Sequence, residues 1–243
     1  MIKICRCGAE YDAGVGPFFL PVCSKCATEW DVEVEARMFK PEAVEIPEDE
    51  FLDSLGIRPR HYHCTFDNFA PRDDNETKAL EVCKRMAESW RGLVALIGNN
   101  GTGKTHLASA TVRAVGAGKY YKMLEVGMFI RRAFDKELRL DEQGQLDALI
   151  GLPFLAIDEV EKSKRTENEI NWLSYLVDER LERNRATMIL GNCHPKTIHK
   201  DGAFCDKCFE SIMTPDVLDR ISQYGVMRYF DGPSHRPELR GKE

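Results

Sequence analysis

Short apolar runs alternate with amphipathic stretches along the chain from about residue 59 onward. Three of the runs, 93–97, 154–157 and 187–190, are almost continuously apolar, as in strands that are buried on both faces. Between them, apolar residues recur every three or four positions, which is typical of helices with one buried face. Strands that alternate with helices predict a parallel sheet covered by helices on both faces. The pattern therefore predicts an α/β fold.

The weaker parts of the pattern supply the remaining elements. Two further strands are predicted over 120–124 and 226–230. Helices are predicted over 75–91, from residue 106 to about Gly116, and over 126–138, 143–150, 168–184 and 214–224. The last of these helices carries two start signals, a Thr214 cap and Pro215 in its first position.

The first 58 residues differ in composition from the rest of the chain. Residues 1–28 hold four cysteines with several glycines and prolines, and they are too few to bury a core without a metal ion. Residues 29–58 carry ten acidic and three basic residues, which predicts an acidic linker with a short helix near 49–55. Such a stretch is usually solvated, and docking of a basic partner is the alternative. The main domain is then expected over 59–243.

Composition narrows the possible classes of protein. The chain has 243 residues, a net charge of −6 and nine cysteines. The negative charge argues against a generally basic nucleic-acid binder, so DNA contacts would need a local patch. No apolar stretch approaches the length of a membrane span, and the first residues lack the apolar core of a secretion signal. An odd number of cysteines in metal-like spacings favours a reducing, cytoplasmic compartment with zinc sites over a disulfide framework.

The residues after the first apolar run fit the phosphate-binding pattern G-x-x-x-x-G-K-[ST] in full. They are Gly98, Asn99, Asn100, Gly101, Thr102, Gly103, Lys104 and Thr105, with His106 next in the following helix. A strand, a glycine turn and a helix in this order direct backbone N–H groups and a helix N-terminus at one point, which suits phosphate. Lys104 is expected to reach the β- and γ-phosphates of ATP, and the Thr105 hydroxyl to bind Mg²⁺. The alternative is an ordinary glycine-rich turn.

Polar residues also follow the other two apolar runs. Asp158 and Glu159 end the second run, and Asn192 follows the third. A parallel sheet gathers its strand ends at one edge, so these side chains are expected beside the phosphate loop. Asp158 would hold the Mg²⁺ shell, Glu159 would activate the attacking water, and Asn192 would orient that water. A solvated acidic pair and a turn asparagine are the alternatives.

Cysteines with metal-like spacing occur in two places. The pairs Cys5/Cys7 and Cys23/Cys26 favour a four-cysteine zinc site over buried thiols, although the first pair is C-x-C rather than the usual C-x-x-C. Cys193, Cys205 and Cys208 form a second candidate zinc cluster, which one of His194 and His199 could complete. His61, His63 and Cys64 lack a second pair, so a structural role is expected for them. Cys83 is expected in the core of a helix.

Several motifs together carry a family resemblance. From about residue 65 to 240 the chain resembles the AAA+ ATPases of the DnaC/DnaI helicase-loader group, which also includes the IstB transposition ATPase. The matching segments are TFDNF at 65–69, the Walker A loop at 98–105, the Walker B strand at 154–159, the helix and sensor-1 strand at 176–180 and 186–192, D-R-I at 219–221 and the S-x-R ending at 234–236.

The resemblance implies roles that the residues alone do not. Arg220 of D-R-I corresponds to the arginine finger, which acts on the ATP of a neighbouring subunit, and Arg236 corresponds to sensor 2. Without the resemblance, both would be taken as surface arginines. The implied fold has no separate helical lid, because the chain ends soon after Arg236. The implied cofactors are ATP and Mg²⁺, with Zn²⁺ from the cysteine sites.

The resemblance also implies partners: a hexameric replicative helicase gripped through residues 1–58, single-stranded DNA, and further copies of the chain. It further suggests a bacterial or bacteriophage replication protein. Arg131, Arg132 and Lys136 lie where the family places DNA-facing elements, although a solvated helix face is equally compatible. Direct DNA contact by residues 1–28 is an alternative to helicase binding. The alternative functions are an IstB-like transposition helper and an adaptor that binds nucleotide without hydrolysing it.

Overall fold

The computed structural model describes residues 47–134, 141–162, 166–196, 205 and 208–235, together with the backbone of 2–4 and 10–12. The chain divides into two compact units, Met1–Ile46 and Pro47–Glu243. In the first unit, β1 (Ile2–Ile4) pairs antiparallel with β2 (Glu10–Asp12). The predicted zinc ligands Cys5, Cys7, Cys23 and Cys26 lie outside the described residues, as does Arg236.

A parallel sheet forms the centre of the second unit. Its strands are β3 (Leu93–Gly98), β4 (Lys119–Lys122), β5 (Phe154–Asp158), β6 (Ala186–Gly191) and β7 (Gly225–Phe230). Their order is β4-β5-β6-β3-β7, and each pair of neighbours is parallel. The three predicted apolar strands are adjacent in the middle, and every residue in them is buried. The predicted α/β fold is confirmed.

Helices cover both faces of this sheet. They are α1 (Glu48–Ser54), α2 (Asp74–Ser89), α3 (Lys104–Val115), α4 (Met123–Arg131), α5 (Glu142–Gly151), α6 (Glu167–Glu182), α7 (Phe209–Ile212) and α8 (Pro215–Tyr224). Alternate residues of the buried strands enter two separate apolar clusters. One cluster includes residues of α1, α2 and α3, and the other includes residues of α4 to α8. Because side chains alternate across a strand, each central strand supplies both clusters.

The region after β4 differs from the sequence prediction. The strand predicted over 120–124 ends at Lys122, and α4 begins at Met123, three residues before the predicted start of its helix. The Lys122 backbone N–H donates to Glu125 Oε2 at 2.9 Å, as at a capped helix start. Met123, Val126 and Ile130 are buried on one face of α4. Their helical spacing and this cap start the helix at Met123, so the strand that contains the two preceding tyrosines ends at Lys122.

Residues 47–58 belong to the folded second unit rather than to a linker. Leu52, Leu55 and Ile57 are buried in the cluster that includes α2 and α3. The Tyr120 N–H donates to Leu55 O at 2.8 Å, which ties this segment to β4. The predicted end of the acidic linker at residue 58 therefore differs from the boundary after Ile46, because three apolar residues bury here while the acids of α1 stay exposed. Among the described residues, no helix combines the length and the apolar character needed to cross a membrane.

Candidate nucleotide-binding site

The phosphate-binding loop joins β3 to α3 and is covered by the segment that follows β7. Gly98 and Gly101 have φ values of +131° and +76°, in a region that side chains other than glycine rarely adopt. A Cβ on Gly98 would lie 2.1 Å from Phe230 O, and one on Gly101 would lie 2.1 Å from Ser234 Oγ. Glycine is therefore required at both positions by the backbone angle and by the covering segment.

Lys104 is held inside this loop. Its side-chain Nζ donates to Gly98 O at 2.9 Å, to Asn99 O at 2.5 Å and to Thr102 Oγ1 at 3.3 Å. The residue is only 5% exposed. Oxygen atoms of the loop thus compensate the buried ammonium, and they keep the positive charge where phosphate would bind.

The two residues predicted to hold Mg²⁺ are in direct contact. Thr105 Oγ1 donates to Asp158 Oδ2 at 3.0 Å, although the residues are far apart in sequence. The Tyr120 hydroxyl donates to the same oxygen, and the Glu159 N–H donates to Asp158 Oδ1 at 2.6 Å. A hydroxyl beside a carboxylate is the donor set that Mg²⁺ accepts together with water and phosphate oxygens. The residues present therefore fit the ion.

Glu159 has an unusual backbone and two lysine partners. Its φ is +57°, which is uncommon for a residue with a side chain and is often found at functional sites. Lys162 Nζ lies 2.8 Å and Lys122 Nζ lies 3.1 Å from its carboxylate oxygens. Burial raises the pKa of Glu159, but the two lysines outweigh burial and bring the pKa below its ordinary value. The carboxylate is thus ionised at neutral pH, as a general base must be.

Asn192 contacts a neighbouring acid rather than Glu159. Its backbone N–H donates to Glu161 Oε2, and its side-chain Nδ2 donates to Glu161 Oε1, both at 3.0 Å. This pair joins the residues that follow β6 to the 3₁₀ turn Val160–Lys162 that follows β5. The role of Asn192 in orienting water remains a prediction.

Part of the S-x-R ending lies on the phosphate loop. The His235 N–H donates to Gly101 O at 2.7 Å, and Asn99 Nδ2 donates to Asp231 O at 2.9 Å. His235 Nε2 also lies 3.2 Å from Glu76 Oε1 on α2. The segment 230–235 is therefore fixed between the loop and α2, directly before the predicted sensor Arg236.

Arg220 is on the surface of α8. Its Nε donates to Asp178 Oδ1 on α6 at 2.8 Å, and the two side chains are 35% and 39% exposed. The bond to Asp178 raises the pKa of Arg220, so the guanidinium is permanently charged. The predicted action of Arg220 on a neighbouring subunit remains a prediction.

His106 points toward residues that precede α2 rather than into the phosphate loop. Its Nε2 lies 2.8 Å from Thr65 O, and its ring meets Phe69 edge-on with centroids 5.3 Å apart. These two residues belong to the TFDNF segment. The His106 side chain therefore fastens that segment to α3, which leaves its backbone as the part that can contribute to nucleotide binding.

Sequence reasoning missed Tyr120, Lys122 and Glu161 as parts of the site. Tyr120 and Lys122 lie two positions apart on β4. Because β4 pairs with β5, Lys122 lies beside Asp158. Burial, with the nearby Asp158, raises the pKa of Tyr120, which keeps its hydroxyl protonated as a donor. The contacts of Tyr120 and Lys122 follow from the register between β4 and β5, and that of Glu161 from the packing of the turn after β5 against Asn192. Nothing in the local sequence marks these contacts.

Two residues of the second cysteine cluster lie where the described segments after β6 and before α7 meet. The Phe209 N–H donates to His194 O at 2.7 Å, which joins these two segments. Cys193 and Cys208 are buried there, and Cys205 is partly exposed. Burial raises the pKa of Tyr229, and Asp231 and the two cysteines add to this effect. His199 lies outside the described residues, and zinc binding by Cys193, Cys205 and Cys208 remains a prediction.

Comparison with known proteins identifies similar sequences. No protein-family model matches the chain. The replicative helicase loader DnaC of Buchnera aphidicola subsp. Acyrthosiphon pisum is 28% identical over 200 residues, which cover 79% of this chain and 77% of that protein. The DnaC loader of Escherichia coli strain K12 is 26% identical over 195 residues, which cover 77% of this chain and 75% of that protein.

Solved structures agree with this similarity. The crystal structure of the DnaC helicase loader matches with a TM-score of 0.56 at 18% identity, covering 72% of this chain and 100% of that one. The crystal structure of DnaI matches with a TM-score of 0.54 at 16% identity, covering 76% of this chain and 99% of that one. The structure of the replication initiator DnaA bound to AMPPCP and single-stranded DNA matches with a TM-score of 0.57 at 17% identity. The match covers 72% of this chain and 51% of that one. The chain shares its fold with the matched parts of these proteins, and the resemblance to DnaC-like loaders seen in the motifs is confirmed.

Proposed function

We propose that this DnaC-like protein loads a hexameric replicative DNA helicase onto single-stranded DNA and hydrolyses ATP at interfaces between its own copies. The observation that carries the proposal is the meeting of Lys104, Thr105, Asp158 and Glu159 at one end of the parallel sheet. The similarity to DnaC loaders along most of both chains supports the choice of task.

The proposed reaction assigns a separate task to each residue. Lys104 exchanges its contacts with loop oxygens for the β- and γ-phosphate oxygens. Thr105 and Asp158 would hold Mg²⁺, which would supply positive charge beside the phosphates. Glu159, kept ionised by Lys122 and Lys162, accepts a proton from the attacking water.

Turnover measurements test whether the protein is an ATPase. Glu159→Gln should abolish hydrolysis while ATP binding is retained, because only the base is lost. Glu88→Gln is the matched control, because Glu88 is an exposed acid on α2. This variant should bind and hydrolyse ATP as the unaltered protein does. Equal, negligible turnover of the unaltered protein with and without single-stranded DNA would favour the non-hydrolysing adaptor instead.

Arg220 is proposed to complete the site of a neighbouring copy. An exposed guanidinium that already binds a carboxylate can exchange it for phosphate oxygens of similar geometry. Lys104→Ala and Arg220→Ala should each be inactive alone. Mixed in equal amounts, they should recover activity, since about a quarter of interfaces in a randomly mixed ring would pair an intact loop with an intact arginine.

The mixing experiment has an internal control. Arg220→Ala mixed with the double variant Lys104→Ala/Arg220→Ala provides no intact arginine and should stay inactive. If the two single variants recover nothing at any ratio, Arg220 does not act between subunits.

Helicase loading itself is tested by retention and transfer. The tagged full-length protein should retain its cognate replicative helicase in the presence of ATP, and should place that helicase on single-stranded DNA. Stimulation of a transposase without helicase retention would favour the IstB-like alternative.

Residues 1–58 are proposed to hold the helicase, with zinc bound by Cys5, Cys7, Cys23 and Cys26. Cys23→Ser/Cys26→Ser should lose one zinc ion per chain and helicase retention, with ATP turnover preserved. Loss of turnover together with retention would show general unfolding rather than loss of a helicase contact.

A further inference from the structure

Four potential metal ligands meet beside the phosphate loop, three from one short segment and one from α3. His61, His63 and Cys64 lie within four residues of one another, with Tyr62 between the two histidines, and His106 comes directly after Thr105. The ligand atoms of His63, Cys64 and His106 all lie within 4.8 Å of one another. The sequence had offered no second group for the first three residues, and the fold supplies it.

The distances between donor atoms suit a small, tetrahedral ion. Cys64 Sγ lies 3.8 Å from His63 Nε2 and 3.8 Å from His61 Nδ1. Bond lengths of zinc to sulfur and nitrogen place two such ligands about 3.6 Å apart in a tetrahedron. Shifts of a few tenths of an ångström would therefore bring Cys64 Sγ and His63 Nε2 to this separation, and the ligand atom of His106 lies within 4.8 Å of both.

The ligand types select the class of metal. Imidazole nitrogen and thiolate sulfur favour zinc and other soft or borderline cations, whereas Mg²⁺ prefers oxygen. The ion would therefore differ from the Mg²⁺ expected at Thr105 and Asp158. Cys64 is buried and His63 is exposed, so the group of ligands reaches from the interior to the surface.

The surroundings already hold the ligands in place. Thr65 O can only accept a hydrogen bond, so His106 Nε2 carries the proton and Nδ1 keeps its lone pair. Metal-binding histidines usually donate their second ring nitrogen in this way. Asn68 Nδ2 donates to His63 O at 2.5 Å, and the Cys64 N–H donates to His61 O at 3.0 Å. These bonds fix the peptide unit that joins His63 to Cys64, directly before the thiol.

We propose that His63, Cys64 and His106 bind a zinc ion, with the fourth position open to water on the side where His61 lies. The ion would fasten the TFDNF segment to the first turn of α3 and so to the phosphate loop. This inference is independent of the proposed loading function, because it concerns metal binding alone.

The test compares the zinc content of full-length variants after dialysis against a zinc buffer. Cys64→Ala and His63→Ala should each contain one zinc ion fewer per chain than the unaltered protein. Cys83→Ala is the matched control. Cys83 is also a buried cysteine, but its thiol forms a hydrogen bond with the side chain of Thr111. This variant should keep the full zinc content. Cysteines elsewhere in the chain contribute equally to all variants and cancel in the comparison.

A second measurement guards against variants that do not fold. His63 is exposed, so His63→Ala should keep its far-ultraviolet circular dichroism and lose the metal even if Cys64→Ala unfolds. With Co²⁺ in place of zinc, the near-ultraviolet thiolate-to-metal band should weaken in Cys64→Ala but not in Cys83→Ala. Equal zinc content in the unaltered protein, His63→Ala and Cys64→Ala would overturn the proposal.

Discussion

Arg180 provides a sharp test of how this unit is held together. The side chain is 0% exposed, and its guanidinium makes five hydrogen bonds of 2.6 to 3.0 Å. The acceptors are the carbonyl oxygens of Leu149, Ile150, Leu152 and Ala186 and the hydroxyl of Thr187. The first two lie in the last turn of α5, where carbonyls lack partners within the helix. Arg180 thus joins α5 to β6, next to the strand that ends in Asp158.

The expected magnitude follows from these contacts. Arg180→Met keeps much of the volume but removes the donor from four carbonyls, three of them buried, at about 1–3 kcal/mol for each buried one. Burial also lowers the pKa of Arg180 to about 9, with a contribution from Arg185, and relief of this desolvation offsets part of the loss. The net loss of unfolding free energy should be about 3–5 kcal/mol.

Urea unfolding followed by circular dichroism measures this loss. Arg183→Met is the matched control, because Arg183 lies near the end of the same helix, has a half-exposed side chain and pairs with Glu179 at 2.9 Å. Exposed pairs of this kind contribute at most about 1 kcal/mol. If the unfolding free energies of Arg180→Met and Arg183→Met differ by less than about 1 kcal/mol, the buried hydrogen bonds of Arg180 do not stabilise the fold to the expected extent.

Two further predictions concern the nucleotide site. Lys122 and Lys162 depress the pKa of Glu159 in the folded protein. The charged carboxylate and its stabilising pairs are therefore present above the ordinary pKa of glutamate, and they are lost only as the pH falls through the lower pKa of the folded state. Lys122→Met/Lys162→Met should therefore move the acid limb of the kcat profile to higher pH, and an unmoved limb would contradict this. Gly101→Ala should weaken ATP binding at least tenfold, a loss of about 1.4 kcal/mol in binding free energy, because its Cβ would clash with Ser234 in the segment that covers the loop. Titration calorimetry measures this affinity. Gly116→Ala, also at positive φ but with nothing within 4 Å, should reduce only stability; equal affinities would refute the steric argument.

The buried strands and the phosphate loop were encoded locally. Continuous apolar runs predicted the three central strands, because a strand covered on both faces must be apolar at every position. The start of α8 at Thr214 and Pro215 was likewise readable, and the Thr214 side chain accepts from Val217 N as a cap should. The β4 boundary was wrong, because burial of one face of α4 decides where that helix begins.

Tertiary structure decided which distant residues share the site. The partners of Asp158 and Glu159 on β4 depend on the register between two strands. The contacts of Asn192 with Glu161 and of Arg220 with Asp178 depend on how separate elements pack. Such contacts leave no periodic signal in the sequence, because they join positions whose separation along the chain is arbitrary.

The sequence by itself thus determined the fold class and the motif of the phosphate loop, and it singled out Asp158 and Glu159 as the carboxylates expected beside that loop. Only the tertiary structure placed the segment 230–235 on that loop and brought His106 to Cys64. The physical reason is the same in both cases. Backbone angles and burial patterns act over neighbouring residues, whereas hydrogen bonds and metal ligation need the relative positions of whole elements, which packing alone fixes.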